Sequence, residues 1–257
     1  MNFFFVINGT RLKQIMIILV AALFAAGTIY AKKESISVFS TQAQAPSAVY
    51  QVDTNKKWIA LTFDISWGEK KVEPILQVLK DKGVKHATFF LSSVWAQDHP
   101  NLVKQILDAG YEIGSHGHKH VSYNTLEDQE IRKQITTAHS ILNKVTGKDP
   151  TLLRVPNGEF DQRVLQIASS LNYTVVQWGV DSFDWMKKDA KTIVNNVLTK
   201  AKKGDIVLMH ASDSAKHTHE ALPIIIDKLR DKGFELVTVS QLISQADLKH
   251  NEVQDKR

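Results

Sequence analysis

Ile59-Ala60-Leu61-Thr62-Phe63-Asp64 is an apolar, strand-type run that ends on a carboxylate. Four other runs end in the same manner: Glu112–Ser115 into His116, Leu152–Leu153 into Arg154, Thr174–Val180 into Asp181, and Ile206–Met209 into His210. Stretches of helical period lie between them. Each run closes on a residue able to bind a metal, move a proton or hold an anion. In a sheet or barrel of parallel strands the carboxyl ends open on one face, where ligands gather. Residues far apart in the chain are therefore expected to line one pocket, and an enzyme is the leading expectation.

Working outward, seven strands are predicted, at 59–64, 87–91, 112–116, 152–156, 174–180, 206–210 and 235–239. Their β-branched and aromatic content suits buried parallel strands, which read as continuous apolar runs. Val72, Ile75, Leu76 and Leu79 carry the spacing of a helix face, stopped at Lys82-Gly83. Ile131, Ile135, Ala138, Leu142 and Val145 form a second stripe closed by Gly147, and further helices are marked by Ala168 and Leu171, by Ile193, Val197 and Ala201, and by Leu222, Ile225, Ile226 and Leu229. Alternation at this spacing implies βαβ units. The expected fold is α/β, a distorted or incomplete (β/α) barrel of about seven parallel strands in a single domain over 58–245. A signal or anchor occupies 1–31, a linker 32–57 and a polar tail 246–257.

The formal charge of +5 is concentrated at the front, where Arg11, Lys13, Lys32 and Lys33 face Glu34 alone before residue 50. The remainder is close to neutral and lacks a basic run, so nucleic-acid binding is not expected. Arg11 and Lys13 precede an apolar run from Ile15 to Ala31, which Lys32 and Lys33 close. These are the marks of an export signal. The run is long for a cleaved signal and slightly short for a membrane span of ~20 residues. An uncleaved membrane anchor is the expectation, with a cleaved signal as the alternative. Either places the rest outside the cytoplasm. The chain has no cysteine, which removes disulfides and thiolate chemistry.

Ser115-His116-Gly117-His118-Lys119-His120 is the strongest local signal. If the chain turns into a helix there, His116 and His120 share one face and can share a transition-metal ion, with His118 on the other side; a solvated His-rich loop is the plainer reading. Asp64 suits a base, a metal ligand or a helix cap. Arg154, before Val155-Pro156-Asn157-Gly158, suits an ion pair or a surface turn. His210 at a strand end, with a carboxylate to orient it, suits acid–base work. Each reading alone is weak; five at strand ends together outweigh their separate alternatives.

In order and wording these motifs resemble the polysaccharide deacetylases with a NodB homology domain, of the carbohydrate esterase family 4 type. The matching pieces are Thr62-Phe63-Asp64, His116-x-x-x-His120, Arg154-x-Pro156-x-Gly158, Asp181-x-x-x-Trp185 and Leu208-x-His210, covering roughly 57–245. The stretch Thr62–Gly68 and the N-terminal run look most like the sporulation-associated PdaB-like branch. The resemblance implies a metal-dependent hydrolase that removes acetyl groups from a glycan of the cell or spore wall, peptidoglycan N-acetylglucosamine or N-acetylmuramic acid units. It implies Asp64 as general base, His116 and His120 as ligands of a divalent metal (zinc first, then cobalt or manganese), and a backbone N–H at Asn157 in an oxyanion hole. It further implies His210 as the acid tuned by Asp181, Arg154 as the residue that orients Asp64, and Trp185 packed on His210 or on the sugar. The chain is expected to act as a monomer.

One position departs from the pattern. The family has a second Asp directly after the catalytic one, as third metal ligand, and here it is Ile65. Three readings are open: weak metal binding through the two imidazoles, Asp64 turned to the metal, or loss of hydrolysis with glycan binding kept. A carboxylate at 65 is expected to lie beside His116 and His120 and to raise zinc affinity. A small-amide hydrolase is a further alternative.

Overall fold

In the computed structural model, Trp58–Ile65 forms β1, buried from Ile59 to Ile65. There follow α1 (Val72–Asp81), β2 (Thr88–Leu91), α2 (Ser93–Asp98), α3 (Pro100–Asp108), β3 (Glu112–Ser115), α4 (Asp128–Thr146), β4 (Leu152–Leu153) and α5 (Gln162–Ser170). Beyond these come β5 (Thr174–Val175), β6 (Val180–Asp181), α6 (Ala190–Leu198), β7 (Ile206–His210), α7 (Thr218–Asp231) and β8 (Glu235–Leu236). The structure describes residues 46–245 and, ahead of them, Thr10, Lys13, Met16, Leu19 and Val20, which are helical and exposed. Apart from those five residues, the expected anchor, the linker up to residue 45 and the tail 246–257 lie outside the described residues. No helix among the described residues is long and apolar enough to cross a membrane.

The strands run parallel in the order β5-β4-β3-β2-β1-β7-β6, and β8 pairs with the start of β1. This is the expected incomplete barrel. β1 lies inside it, between β2 and β7, and its period of two divides two apolar layers. Ile59, Leu61, Phe63 and Ile65 pack with Phe89, Leu91, Val207 and Met209 against the helices. Ala60 faces the other way, into a cluster with Phe90, Ile206 and Val176, and Thr62 and Asp64 share its side by the same alternation. The register sets Asp64 opposite His210 on β7 and Ile65 opposite Leu91 on β2. Strand ends therefore lie level, as the sequence pattern requires of a common pocket.

Two differences from the sequence reading have clear causes. The single strand expected over 174–180 is two, β5 and β6, on opposite edges of the sheet. Between those edges lies the segment 49–52, expected as the end of a free linker. Its Val49 N–H donates to the Val175 carbonyl at 2.9 Å, its carbonyl accepts from Gln177 N–H at 2.8 Å, and Val52 N–H donates to the Gly204 carbonyl at 2.9 Å. Gly204, at φ +83°, leaves room for the Val52 backbone where a Cβ would clash. The segment satisfies backbone groups that the open edges would otherwise leave bare. The helices α2 and α3 carry no long stripe, because Pro100 divides them into two short pieces.

Candidate active site

Arg154 follows β4 and is fully buried. A guanidinium stripped of water needs its donors satisfied. Its Nη1 donates to Asp64 Oδ1 and to Thr62 Oγ1, both at 2.8 Å, and its Nη2 to the Gln177 carbonyl at 3.0 Å. The Phe90 ring lies 4.2 Å beneath it. Asp64 is buried too, which by itself raises a carboxyl pKa; the Arg154 guanidinium, with the neighbouring imidazoles of His116 and His210, outweighs burial and holds it below the usual range. Asp64 is therefore an ion at neutral pH, with one oxygen committed to Arg154.

His116 follows β3. The Arg154 carbonyl lies 2.8 Å from its Nδ1, so that nitrogen carries the proton and Nε2 keeps a lone pair. Nε2 faces Asp64 Oδ2 at 3.9 Å. Burial pushes the imidazole pKa down to about 4, and His120 is lowered for the same reason. The two rings approach to 5.4 Å between centroids at 62°. They do so without the helix considered from sequence: residues 116–122 form a loop, and Gly117 has φ +75° with the Tyr123 hydroxyl filling the space of any side chain. His118 turns away to Ser93 Oγ, 2.9 Å from its Nδ1.

His210 ends β7. Its orienting carboxylate is Asp184, where the sequence reading placed Asp181. Asp184 Oδ1 lies 2.8 Å from His210 Nδ1, and Oδ2 accepts from His210 N–H at 2.8 Å and from Thr218 Oγ1 at 2.7 Å. Asp184 is wholly buried. Asp181 instead closes its own turn, accepting from Phe183 N–H at 2.7 Å and from the Trp185 side chain. Phe183, at φ +55°, reverses the chain so that Asp184 passes beneath His210. Asp181 acts on His210 only as a more distant negative charge. Burial alone lowers the His210 pKa, yet Asp184 and the other carboxylates raise it above its ordinary value.

These groups meet in a cleft of about 570 Å³, walled by Trp67, Trp178, Trp185, Asn157 and Glu159. Trp67, Trp178 and Asp184 were not read as site residues. A lone Asp or Trp in a loop carries no periodic signal. Asn157 lies in the turn Pro156–Gly158 at φ +60°, and Trp185 is 46% exposed on the opposite wall.

Ile65 supplies no lone pair to a metal beside His116 and His120. It is wholly buried in the layer between sheet and helices, on the face of β1 opposite to Asp64. Among the described residues no group of three His, Cys, Asp or Glu is arranged to hold a metal ion. The residues present fit attachment of a divalent ion by two imidazoles, and they do not fit the three-ligand centre usual for catalytic zinc.

A model of the polysaccharide deacetylase family matches residues 51–176. A peptidoglycan-N-acetylglucosamine deacetylase of Bacillus cereus is 37% identical over 190 residues, 73% of this chain and 69% of its own length. The chain belongs to the polysaccharide deacetylase family. Within that family, PdaC of Bacillus subtilis, a peptidoglycan-N-acetylmuramic acid deacetylase, is 38% identical over 191 residues, but the match spans only 40% of it. Among solved structures, a peptidoglycan N-acetylglucosamine deacetylase superposes with TM-score 0.74 at 35% identity, covering 77% of this chain and 92% of that one. A family 4 carbohydrate esterase pseudoenzyme from Bacillus anthracis superposes with TM-score 0.73 at 32% identity, covering 78% and 70%. A mutant of that pseudoenzyme is described as having restored enzymatic activity, at the same TM-score. Deacetylase family chemistry uses a divalent metal.

Proposed function

We propose that this protein removes N-acetyl groups from cell-wall peptidoglycan, at N-acetylglucosamine or N-acetylmuramic acid units, at a modest rate. The observation that carries the reading is the placement of Asp64 and His210 side by side across β1 and β7, both lining the cleft, with the carboxyl pKa lowered and the imidazole pKa raised. Two neighbouring groups pushed to opposite protonation states are the equipment of acid–base hydrolysis.

Asp64 takes a proton from a water as its oxygen attacks the acetyl carbon. Arg154 fixes the carboxylate for that transfer. The oxyanion of the tetrahedral intermediate accepts a hydrogen bond from the Asn157 backbone N–H. His210 gives its proton to the amide nitrogen, the carbon–nitrogen bond breaks, and acetate and a free amine leave. Asp184 holds the imidazolium and sets which nitrogen faces the substrate. His116 and His120 would hold a divalent ion, zinc first with cobalt or manganese as alternatives, and when bound it supplies Lewis-acid polarisation of the amide carbonyl. The apolar run flanked by lysines and arginine supports an extracytoplasmic setting, anchored through residues 1–31, and the resemblance of Thr62–Gly68 supports the sporulation-associated branch. A monomer is part of this reading.

A second reading, a wall-bound glycan-binding protein without turnover, is favoured by Ile65 and by the likeness to a pseudoenzyme. The two separate in one experiment. The full-length protein, purified without chelator, is assayed for metal content and for acetate release from peptidoglycan and N-acetylglucosamine oligomers. Acetate release that rises with added zinc, cobalt or manganese is expected. No acetate under any of the three, with glycan binding retained, selects the second reading.

A further inference from the structure

Trp67 is a large apolar side chain that the fold holds in the open. It lies on the loop after β1, lines the cleft and is 55% exposed. Scattered exposed aromatics are ordinary, but the backbone here is fixed on every side. Ser66 N–H donates to Ser212 Oγ at 3.0 Å, Asp213 N–H to the Trp67 carbonyl at 3.4 Å, and Lys70 N–H to Asp213 Oδ1 at 2.8 Å. The Gly68 carbonyl accepts from Trp95 Nε1 at 2.6 Å. Gly68 itself has φ +77°, and Asp213 occupies the space of any side chain there. The backbone that carries the indole is thus pinned at the cleft.

Around Trp67 the cleft presents hydroxyls, from Ser66 on its own loop and from Ser212 and Ser214 on the loop after β7. A flat apolar ring beside several hydroxyls matches a pyranose, which offers a face of C–H groups and an edge of hydroxyls. The strand order adds a position. β7, which bears His210, lies between β1 and β6. Trp67 follows β1 and Trp185 follows β6, so the strands that lead into the two indoles lie on either side of the strand that bears His210.

We propose that Trp67 is the stacking platform for the sugar next to the one that loses its acetyl group, so that the protein selects oligomers over single amino sugars. The inference rests on the deacetylase reading and names the form of its substrate. It predicts a dependence on chain length that no contact at Asp64 or His210 produces.

The test uses full-length protein and N-acetylglucosamine oligomers of one to six units, with acetate release and calorimetric binding measured on each. Wild type prefers the tetramer to the monomer. In Trp67→Ala this preference falls about tenfold, through KM rather than kcat, a loss on the scale of an aromatic stacking contact in a polar cleft. Trp67→Phe recovers most of it, which a loop that had merely lost its fold would not do. A preference unchanged in Trp67→Ala overturns the proposal. So does a loss equal for all lengths. If wild type releases no acetate, binding decides: weaker tetramer binding by Trp67→Ala supports the platform, and equal binding overturns it. Failure of wild type to bind any oligomer removes both the platform and the glycan reading beneath it.

Discussion

The two walls of the cleft meet the same problem with opposite charges. On one wall Asp64 is buried against Arg154; on the other, a half-buried His210 stands against a buried Asp184. Burial disfavours the charged form of each. Arg154 nonetheless favours the ionised form of Asp64, and Asp184 favours the protonated form of His210. The depth of a group therefore does not set its role; the charge placed beside it does. The walls differ in how that charge is held. Arg154 is locked by Asp64, Thr62 and a backbone carbonyl inside the barrel. Asp184 is held by a hydroxyl and a backbone N–H at the rim, where the His210 side chain keeps 20% exposure.

Breaking the deeper wall has the largest effect. Arg154→Met leaves a buried carboxylate without its partner, and loss of one member of a buried pair costs about 3–5 kcal/mol. Chemical denaturation is expected to show a loss of that size. Burial then raises the Asp64 pKa, so in any active remainder the acidic limb of the pH–rate profile moves upward. An unchanged limb would mean that Arg154 does not set the base.

Ile65→Asp tests the two faces of β1. It exchanges a buried aliphatic side chain, worth about 1.5–3 kcal/mol in place, for a group whose charge has no partner in that layer. A lower melting temperature is expected without zinc, and tighter zinc binding than in wild type. Tighter zinc binding would show that the end of β1 can turn its 65th residue toward His116, and would restore the third ligand.

Asp184→Asn gives the smallest and most specific effect. The His210 pKa falls, the basic limb of the profile moves down, and kcat drops about a hundredfold, within the usual range for an acid–base group. Because the folded pKa of His210 is raised, its ion pair stabilises fully below about 6.5 and that contribution is lost as pH rises through the folded value. The stability gap between wild type and Asp184→Asn is thus expected to be wider at about pH 6 than at about pH 9. A gap of constant size would mean that Asp184 supports the turn alone. Asp181→Asn is the internal comparison, since Asp181 touches His210 by no hydrogen bond.

Much of the architecture was legible because burial writes itself into composition. Ile59–Phe63 reads as a strand since parallel strands are covered on both faces, and Gly147 stops α4 because a left-handed residue is needed there. The convergence of Asp64, His116, Arg154 and His210 was legible from their places at strand ends. His116 and His120 meet, but through a loop at Gly117 that no periodicity announces. Asp184 went unread because Asp181 and Asp184 look alike in a list of residues.

By itself, then, the sequence determined the parallel barrel, its stops and the identity of the groups at its open end, because these depend on local period and on which residues water rejects. Tertiary structure alone decided which carboxylate serves His210, where Ile65 points, and that segment 49–52 fills the gap between β5 and β6. Those outcomes hinge on one left-handed residue, the pleat of one strand and the register of two edges. Each is settled only when distant backbone groups must share the hydrogen bonds available in the closed core.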